Sequence, residues 1–540
     1  MLSSTSPPAQ EPPPPATIDG CIPPKKRNDW CNIQQPIQCM PPKKREILLD
    51  IQAMQQSVQA IFLSLFDLIL NKSSLSFIMK SANLDRISAL PDDILIEILS
   101  LTTIREAAMT ASLSTTWRDL WKNVNCLVLN THSLGVKLLG KSNYHEDPNL
   151  WNDEATKFIQ KVNAVLDHHN GNGIKTFRVQ FPLSSAHASE LDHWVDFATA
   201  SHVRKLHMSL CDDHGMAITQ YEEPYKFPLK HFADAGGYQL NELYLRKCGL
   251  ETAPANLSGF SYLESLSLVC VSVVDSVFMN VMCWCHVLRN LYLIKCHQLI
   301  NVRTSHAQLV ALEVSICKSI VNISINAAKL HIFSYMGHKV DVNYEYAPAL
   351  CKLQVNFVKK NECPLECIGS LPKLRTLVLQ FPARLQVSHA LQHSERFVGL
   401  KEIVLCLFSS WGKSIRSVAY LLKAAPVVET LKLEVYGNME RPQKLRIRWP
   451  ENFTSERLSS IRIGGFSGES ELTLLLLFLL KWSPALKTLL IDTHPHYYRG
   501  FNYYWDKKKP KDPTRSYYAR GVALKQVAPK VPSTVKFSIM

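Results

Sequence analysis

The chain has 540 residues, 46% of them hydrophobic and 20% charged, with a net charge of +14 and a sequence pI near 9.0. These proportions exclude a disordered or fibrous chain, and the length exceeds what one compact core holds unless the fold grows by repetition. The charge is uneven, with six Lys/Arg against three Asp/Glu in residues 1–45 and ten against two in 496–540, so a nearly neutral body argues against a nucleic-acid-binding face along its length.

Residues 1–45 are proline-rich and polar and are expected to stay disordered. PPKKR occurs twice there, ending at Arg27 and at Arg45. A nuclear import signal and a solvated basic tail are both open readings of these clusters. No secretory signal is read at the start of the chain, and the scattered cysteines, 15 in all, are then expected as reduced thiols in the nucleus and/or cytoplasm. Residues 46–84 read as an amphipathic helix and linker, with Leu48, Ile51, Met54, Val58, Ile61, Phe62 and Leu65 on one face. The apolar run Leu474–Leu480 is far short of the roughly 20 residues a membrane helix needs, so no membrane span is expected.

Residues 85–123 read as three short helices. Pro91 suits a first helical turn, and Asp92 and Asp93 stand where the helix dipole favours negative charge. Ile94, Leu95, Ile98 and Leu99 then form an apolar stripe. A second helix is expected over about Ile104–Leu113. A third is expected from Ser114, as its N-cap, presenting Trp117, Leu120 and Trp121.

From residue 124 onward, through a repeat domain at 124–455 and into the terminal region after it, the pattern changes to short strands of the form L-x-x-L-x-L, such as LNELYL at 240–245 and LRTLVL at 374–379. The fourth positions are Leu243, Leu266, Leu291, Leu312, Leu353, Leu377, Ile403, Leu431, Ile461 and Leu489. Phe333 of LHIFSY fills the gap between Leu312 and Leu353, and the spacing then runs from 20 to 30 residues. That is the period of a leucine-rich repeat, somewhat lengthened toward the end. Weaker copies stand at CLVL (126–129), IKTFRV (174–179) and VRKLHM (203–208). Each unit buries its leucines only by stacking on its neighbours, which demands a near-constant period. Alternation sends Leu243 and Leu245 inward and Glu242, Tyr244 and Arg246 outward. The outward residues of all units are expected to line one concave surface.

The pair DRISALPDDILIEILSL (85–101) and AAMTASLSTTWRDLW (107–121) resembles the plant F-box. Two departures are Thr102, where proline is common, and Thr116, where arginine is common. Residues 458–492, within a terminal repeat region at 456–495, are similar to the FBD region of plant F-box proteins, with Gly465, Phe466 and Gly468 as its GF-x-G element. From about 85 to 495 the chain thus resembles a plant F-box/LRR/FBD protein. The resemblance implies an α/β fold: an N-terminal three-helix F-box, then a leucine-rich-repeat solenoid whose curved parallel sheet has a helical or irregular outer face.

It also implies a non-catalytic substrate-recognition subunit of an SCF-type ubiquitin ligase. Its F-box would bind a Skp-family adaptor, and through it cullin and RING subunits. Leu90, Pro91, Ile94, Leu95, Ile98 and Leu99 would supply that contact, with Trp117, Leu120 and Trp121 extending it or forming the domain core. The repeats would hold a target protein, with Tyr244, Arg246, Tyr292, Glu313, Lys432 and Arg462 as candidate contacts. One alternative is a repeat-based binding module whose F-box engages no adaptor, as Thr102 and Thr116 suggest.

No nucleotide-binding, hydrolase or metalloprotease motif is present, so neither a catalytic site nor a cofactor is expected. Cys283, Cys285, His286, Cys296 and His297 cluster in sequence but lack a zinc spacing, and Cys296 falls where repeats place Asn or Cys. No metal is expected. Residues 496–540 read as a basic aromatic tail. Tyr497, Tyr498, Tyr503, Tyr504, Trp505, Tyr517 and Tyr518 are interleaved there with Lys507, Lys508, Lys509, Lys511, Arg515 and Arg520. A tail that packs its aromatics on the last repeat is the favoured reading, with RNA binding as the other alternative.

Overall fold

The computed structural model describes residues 87–136 except 89, 148–211, 223–233, 239–357, 371–381 except 372, 397–407, 415–436, 447–494 and 513–540. The chain divides into two units, Met1–Ala82 and Asn83–Met540, and all of these residues belong to the second. The proline-rich segment 1–45 and the amphipathic stretch 46–84 lie outside the described residues.

Helix α1, Asp92–Leu99, starts directly after Pro91 and carries Asp92 and Asp93 in its first turn. It turns Leu95 and Leu99 into the core, at 0% and 1% exposure. Helix α2, Ile104–Met109, opens with a capping box: Thr103 Oγ1 accepts from the Glu106 backbone N–H, and the Glu106 carboxylate accepts from that of Thr103. It tightens into a 3-10 turn, Thr110–Ser112. The third helix expected from Ser114 does not form. The chain runs through turns and closes with a 3-10 turn at Leu120–Asn123. Ser114, Thr115 and Thr116 offer competing hydroxyls and β-branches, which disfavour a helix. Packing decides instead: Trp117 and Leu120 are buried, and the Trp117 indole donates to Ser88 Oγ at 2.6 Å.

Beyond this lie fifteen parallel strands in one sheet, neighbours in chain order. They are β1 Cys126–Asn130, β2 Thr176–Gln180, β3 Lys205–Ser209, β4 Glu242–Arg246, β5 Ser265–Val269, β6 Asn290–Ile294, β7 Ala311–Ser315 and β8 Ile332–Gly337. Then follow β9 Lys352–Phe357, β10 Thr376–Phe381, β11 Glu402–Leu407, β12 Thr430–Val435, β13 Ser460–Gly464, β14 Thr488–Ile491 and β15 Lys536–Ile539. The repeat leucines stack in strict register. Leu243 pairs with Leu266, Leu266 with Leu291, Leu291 with Leu312, and Leu312 with Phe333. The column continues through Leu353, Leu377, Ile403, Leu431 and Ile461 to Leu489. In the other direction it takes in the weaker copies through Leu206, Phe177 and Leu127. From Leu127 to Leu489 no member of the column is more than 1% exposed.

Repeat length decides how the chain returns. Between Leu291 and Leu353 successive column residues are only 20 or 21 apart, and the return segments are extended strands, Asn301–Ser305, Asn322–Asn326 and Asp341–Tyr346, forming a second parallel sheet. Where the spacing is 25 or 28, the return runs through a helix, as in Asp275–Trp284, Ile415–Lys423 and Ser470–Trp482. A helix advances about 1.5 Å per residue against about 3.3 Å for a strand, so it needs more residues to cover the same span.

The C-terminal segment differs from the expected tail. Pro513–Val522 is helical and continues into a π-helical turn, Ala523–Val527, while β15 pairs with β14 and sets Phe537 beside Leu489. Ala519, Val522, Ala523 and Val527 are buried. Phe537 lies 48 residues beyond Leu489, well outside the repeat period, so periodicity could not reach it. The GF-x-G element makes this closure possible. Gly465 and Gly468 have φ of 75° and 88°, and a Cβ on Gly468 would meet Tyr518 and Val522. Phe466 between them is 1% exposed.

Replacing a column residue tests the stack. Leu312→Ala is expected to cost about 2–5 kcal/mol, read as a lower urea midpoint.

Candidate binding surfaces

One row of side chains runs across the face of the long sheet turned away from the leucine column, here the open face. Tyr244, Ser267, Tyr292, Glu313, Ser334, Gln354, Val378, Val404, Lys432 and Arg462 occupy matched positions on β4 to β13. Five of the six target-contact candidates, Tyr244, Tyr292, Glu313, Lys432 and Arg462, thus share a single row, and Arg246 lies in the next. Tyr244 is not the exposed residue that alternation suggests: it is 9% exposed, because neighbouring side chains, including the His207 ring at 5.6 Å, crowd it. Tyr292, Arg246, Lys432 and Arg462 are half-buried.

The same row reaches β2 and β3 through Arg178 and His207, which the sequence reading passed over. Each directly follows a column residue, Phe177 or Leu206, and that offset was the available signal. His207 Nε2 bonds Glu242 Oε1 at 2.9 Å, and Lys205 Nζ is 3.2 Å from Glu242 Oε2. Burial alone would raise the Glu242 pKa, but the hydrogen bond and charge of His207 and the charge of Lys205 outweigh it, bringing it to about 2.

Further along, Lys432 pairs with Glu402 at 2.6 Å. Arg462 Nε is buried and makes no hydrogen bond. Val378, Val404 and Cys406 belong to the open face yet are fully buried, with Tyr436 packed on them, so this part of the face is not a polar groove. Glu313 is half-buried between those regions. Burial lifts its pKa to about 7, opposed only by the hydrogen bond that Ser315 Oγ donates at 3.0 Å.

On the F-box, the nine adaptor-contact candidates divide. Leu90, Pro91 and Ile94 are exposed, and Ile98 and Trp121 are half-buried. Leu95, Leu99, Trp117 and Leu120 form the domain's own core. Leu90, Ile94, Ile98 and Leu101 recur at i, i+4, i+8 and i+11, with Ile94 and Ile98 on the side of α1 next to that of Leu95 and Leu99. Ile87, Met109 and Leu113 are also exposed, at 38%, 37% and 41%, and were not singled out from sequence. Thr102, the first departure, donates its hydroxyl to the Leu99 carbonyl at 2.8 Å, and Thr116 is exposed.

The F-box is fastened to the first repeats. Glu97 accepts from Lys175 Nζ at 2.6 Å and from Asn125 Nδ2 at 2.8 Å, and Ser100 Oγ accepts from the Asn125 backbone N–H.

The cysteine cluster is divided: Cys283 lies in the helix Asp275–Trp284 and Cys285 caps its end, while Cys296 belongs to the repeat turn. Lys247, Cys270, Lys295 and Ile316 each follow a strand with φ between 54° and 62°. The next residues include Cys248, Cys296 and Cys317, all buried, and Cys296 Sγ donates to the Leu268 carbonyl at 3.4 Å. Among the described residues no group of three or more His, Cys, Asp or Glu could hold a metal ion. None of the described helices is long and apolar enough to cross a membrane.

Comparison with known proteins agrees with this architecture. The family model described as At1g61320/AtMIF1, LRR domain, matches residues 165–540, and the F-box domain model matches 87–129. The chain belongs to this leucine-rich-repeat family and carries an F-box. Two Arabidopsis thaliana relatives match over most of their length. An FBD-associated F-box protein is 22% identical over 363 residues, 65% of this chain and 77% of that protein. An F-box/FBD/LRR-repeat protein is 23% identical over 428 residues, 76% of this chain and 92% of that one. A third, an F-box/LRR-repeat protein, is 37% identical but only over 100 residues, 18% of this chain and 19% of its own length. The F-box/LRR assignment thus accords with the 15-stranded parallel sheet.

Glu313 gives this protein a measurable pH signature. Its folded pKa, about 7, lies above the ordinary carboxylate value of 4.5, so the folded state holds the proton more tightly. Its contribution to stability is full below about pH 4.5 and is lost as pH rises toward 7. Glu313→Gln is expected to remove that decline, raising stability at pH 8 relative to pH 5 by about 1–3 kcal/mol in urea titrations.

Proposed function

We propose that this F-box/LRR protein is a substrate-recognition subunit of an SCF-type ubiquitin ligase. The observation that carries the reading is the apolar stripe Leu90, Ile94, Ile98 and Leu101 on a small domain whose core is already complete without it. An exposed stripe of this kind suits helix-in-groove docking, here to a Skp-family adaptor and through it to cullin and RING subunits. The open face of the repeats holds a target protein. Because hydrogen bonds and an ion pair fasten the F-box to the repeats, docking at one end fixes where a target sits relative to the rest of the assembly. The contribution to ubiquitin transfer is proximity, with no bond-making group supplied by this chain. The protein acts in the nucleus or cytoplasm, and the paired PPKKR clusters favour nuclear entry.

Adaptor capture by the purified full chain tests this. Ile94→Asp places a charge on the stripe and is expected to weaken capture at least about tenfold while leaving the melting temperature near native. Leu95→Ala, one residue away but buried, is expected instead to destabilise by about 2–5 kcal/mol. Undiminished capture by Ile94→Asp would overturn the assignment.

A second reading rests on the terminal repeat, where Tyr517 and Tyr518 are 82% and 62% exposed beside exposed Arg520 and Lys525. Stacking aromatics with cations suit single-stranded RNA. Salt-dependent RNA binding that disappears in a Tyr517→Ala, Tyr518→Ala double variant would favour it; equal binding by the variant would remove it.

A further inference from the structure

The turns that follow the strands stack in the same register as the strands. Arg246 pairs with Val269, Val269 with Ile294, and Ile294 with Ser315, the last residues of β4 to β7. Two residues beyond each of them lie Cys248, Val271, Cys296 and Cys317. Of these steps, only that from Cys296 to Cys317 brings two thiols together.

The contact is direct. The Cys296 backbone N–H donates to Cys317 Sγ at 3.3 Å, and the Cys296 thiol is within hydrogen-bonding reach of the same sulfur. Neighbouring strands run about 4.8 Å apart, and a disulfide joins Cα atoms about 4.4–6.8 Å apart, so one repeat step suits the bond. The surroundings make the two sulfurs unequal. Donation by the Cys296 thiol, and then by backbone N–H groups, holds the Cys317 pKa below the ordinary thiol value against the opposing effect of burial. The same contact, together with burial, pushes the Cys296 thiol up. Cys317 is also the more accessible, at 4% exposure against 0% for Cys296. An ionisable thiol with a neutral thiol beside it is the arrangement of an attacking and a resolving cysteine.

We infer that Cys296 and Cys317 form a reversible oxidation site, a dithiol that hydrogen peroxide closes into a disulfide across one repeat step. The Cys317 thiolate attacks one peroxide oxygen, the O–O bond breaks, and the departing hydroxide takes up the proton lost from Cys317 as water. The Cys296 thiol then attacks the sulfenic sulfur. The S–S bond forms, and the sulfenic hydroxyl leaves with the Cys296 proton as a second water. The sulfurs together lose two electrons, and the peroxide gains them. The bond joins residues 21 apart and fastens the turns after β6 and β7, the strands that carry Tyr292 and Glu313. In the reducing compartments proposed above it is transient, reopened by thiol exchange. The site does not depend on the ligase assignment.

Peptide mapping of the full chain tests the site. The reduced native chain is treated with equimolar hydrogen peroxide, blocked with N-ethylmaleimide in urea and cut with trypsin. Cleavage after Lys295, Arg303 and Lys318 leaves Cys296 in residues 296–303 and Cys317 in 304–318, each without another cysteine. These two peptides are expected to be joined, and to separate on treatment with dithiothreitol. The yield is expected to be at least about tenfold above that from chain oxidised in urea, because the fold holds the thiols in contact. Cys296→Ser is expected to stop at a Cys317 sulfenic acid that dimedone traps, and Cys317→Ser to leave Cys296 as a free thiol, with circular dichroism confirming the fold of each. Should a serine variant fail to fold, the map of the native chain decides alone. No joined peptide from the folded native chain, equal yields with and without urea, or preferential joining of either cysteine to Cys270 would overturn the site.

Discussion

In-register stacking of the apolar column is the constraint on which everything else in this fold depends. A five-residue strand such as Ala311–Ser315 has no core of its own; Leu312 is buried only because Leu291 and Phe333 lie on either side of it. The strand spacing is therefore fixed by backbone hydrogen bonding, at about 4.8 Å, whatever lies between strands. Return segments adapt to that fixed step, as extended strands where the repeat is short and as helices where it is long. The left-handed residues after β4 to β7 belong to the same constraint, since each turns the chain at one repeated point. Ile316 holds that conformation although it is β-branched, which shows packing overriding local preference.

A one-dimensional stack must be closed at both ends. At one end the F-box does this, with Asn125, Lys175 and Asn170 bonding back to Glu97, Ser100, Lys122 and Asn123. At the other, β15 adds the last strand, and the segment Pro513–Val527 packs Ala519, Val522, Ala523 and Val527 inward. The glycines of GF-x-G let that helix approach closely. The two ends thus serve stability and contact at once: the F-box buries Leu95 and Leu99 of α1 and leaves the adjacent Ile94 exposed.

Because every strand is in register, the open face is an ordered array, and its chemistry varies by position. Cations gather on β2 to β4, a carboxyl with a raised pKa lies near the middle, and an apolar patch follows on β10 and β11. A partner that crosses this face meets different chemistry at each step, which is how a uniform scaffold acquires selectivity. The free thiols contribute little to that surface. Cys248, Cys296 and Cys317 are buried at the strand-end turn, where a small side chain with a weak donor fits beneath the next repeat.

By itself the sequence determined the architecture. The L-x-x-L-x-L period named eleven column residues from Leu243 to Leu489, because a burial requirement repeated along a chain leaves a periodic trace. The F-box motif likewise announced the first two of its three expected helices, but Leu95 and Leu99, read as adaptor contacts, are buried in the domain's own core. Only the tertiary structure decided the rest. Local patterning around Ser114 could not show that Trp117 would bond Ser88 and draw the chain into turns. Alternation marked Tyr244 as outward but could not reveal the crowding by His207, which comes from a strand 37 residues earlier. Phe537 lay beyond any period, and its place beside Leu489 follows from β15 pairing across a long insertion. The row of Arg178, His207 and Tyr244 has the same origin: residues far apart in sequence become neighbours because backbone register, which no local pattern encodes, sets them side by side.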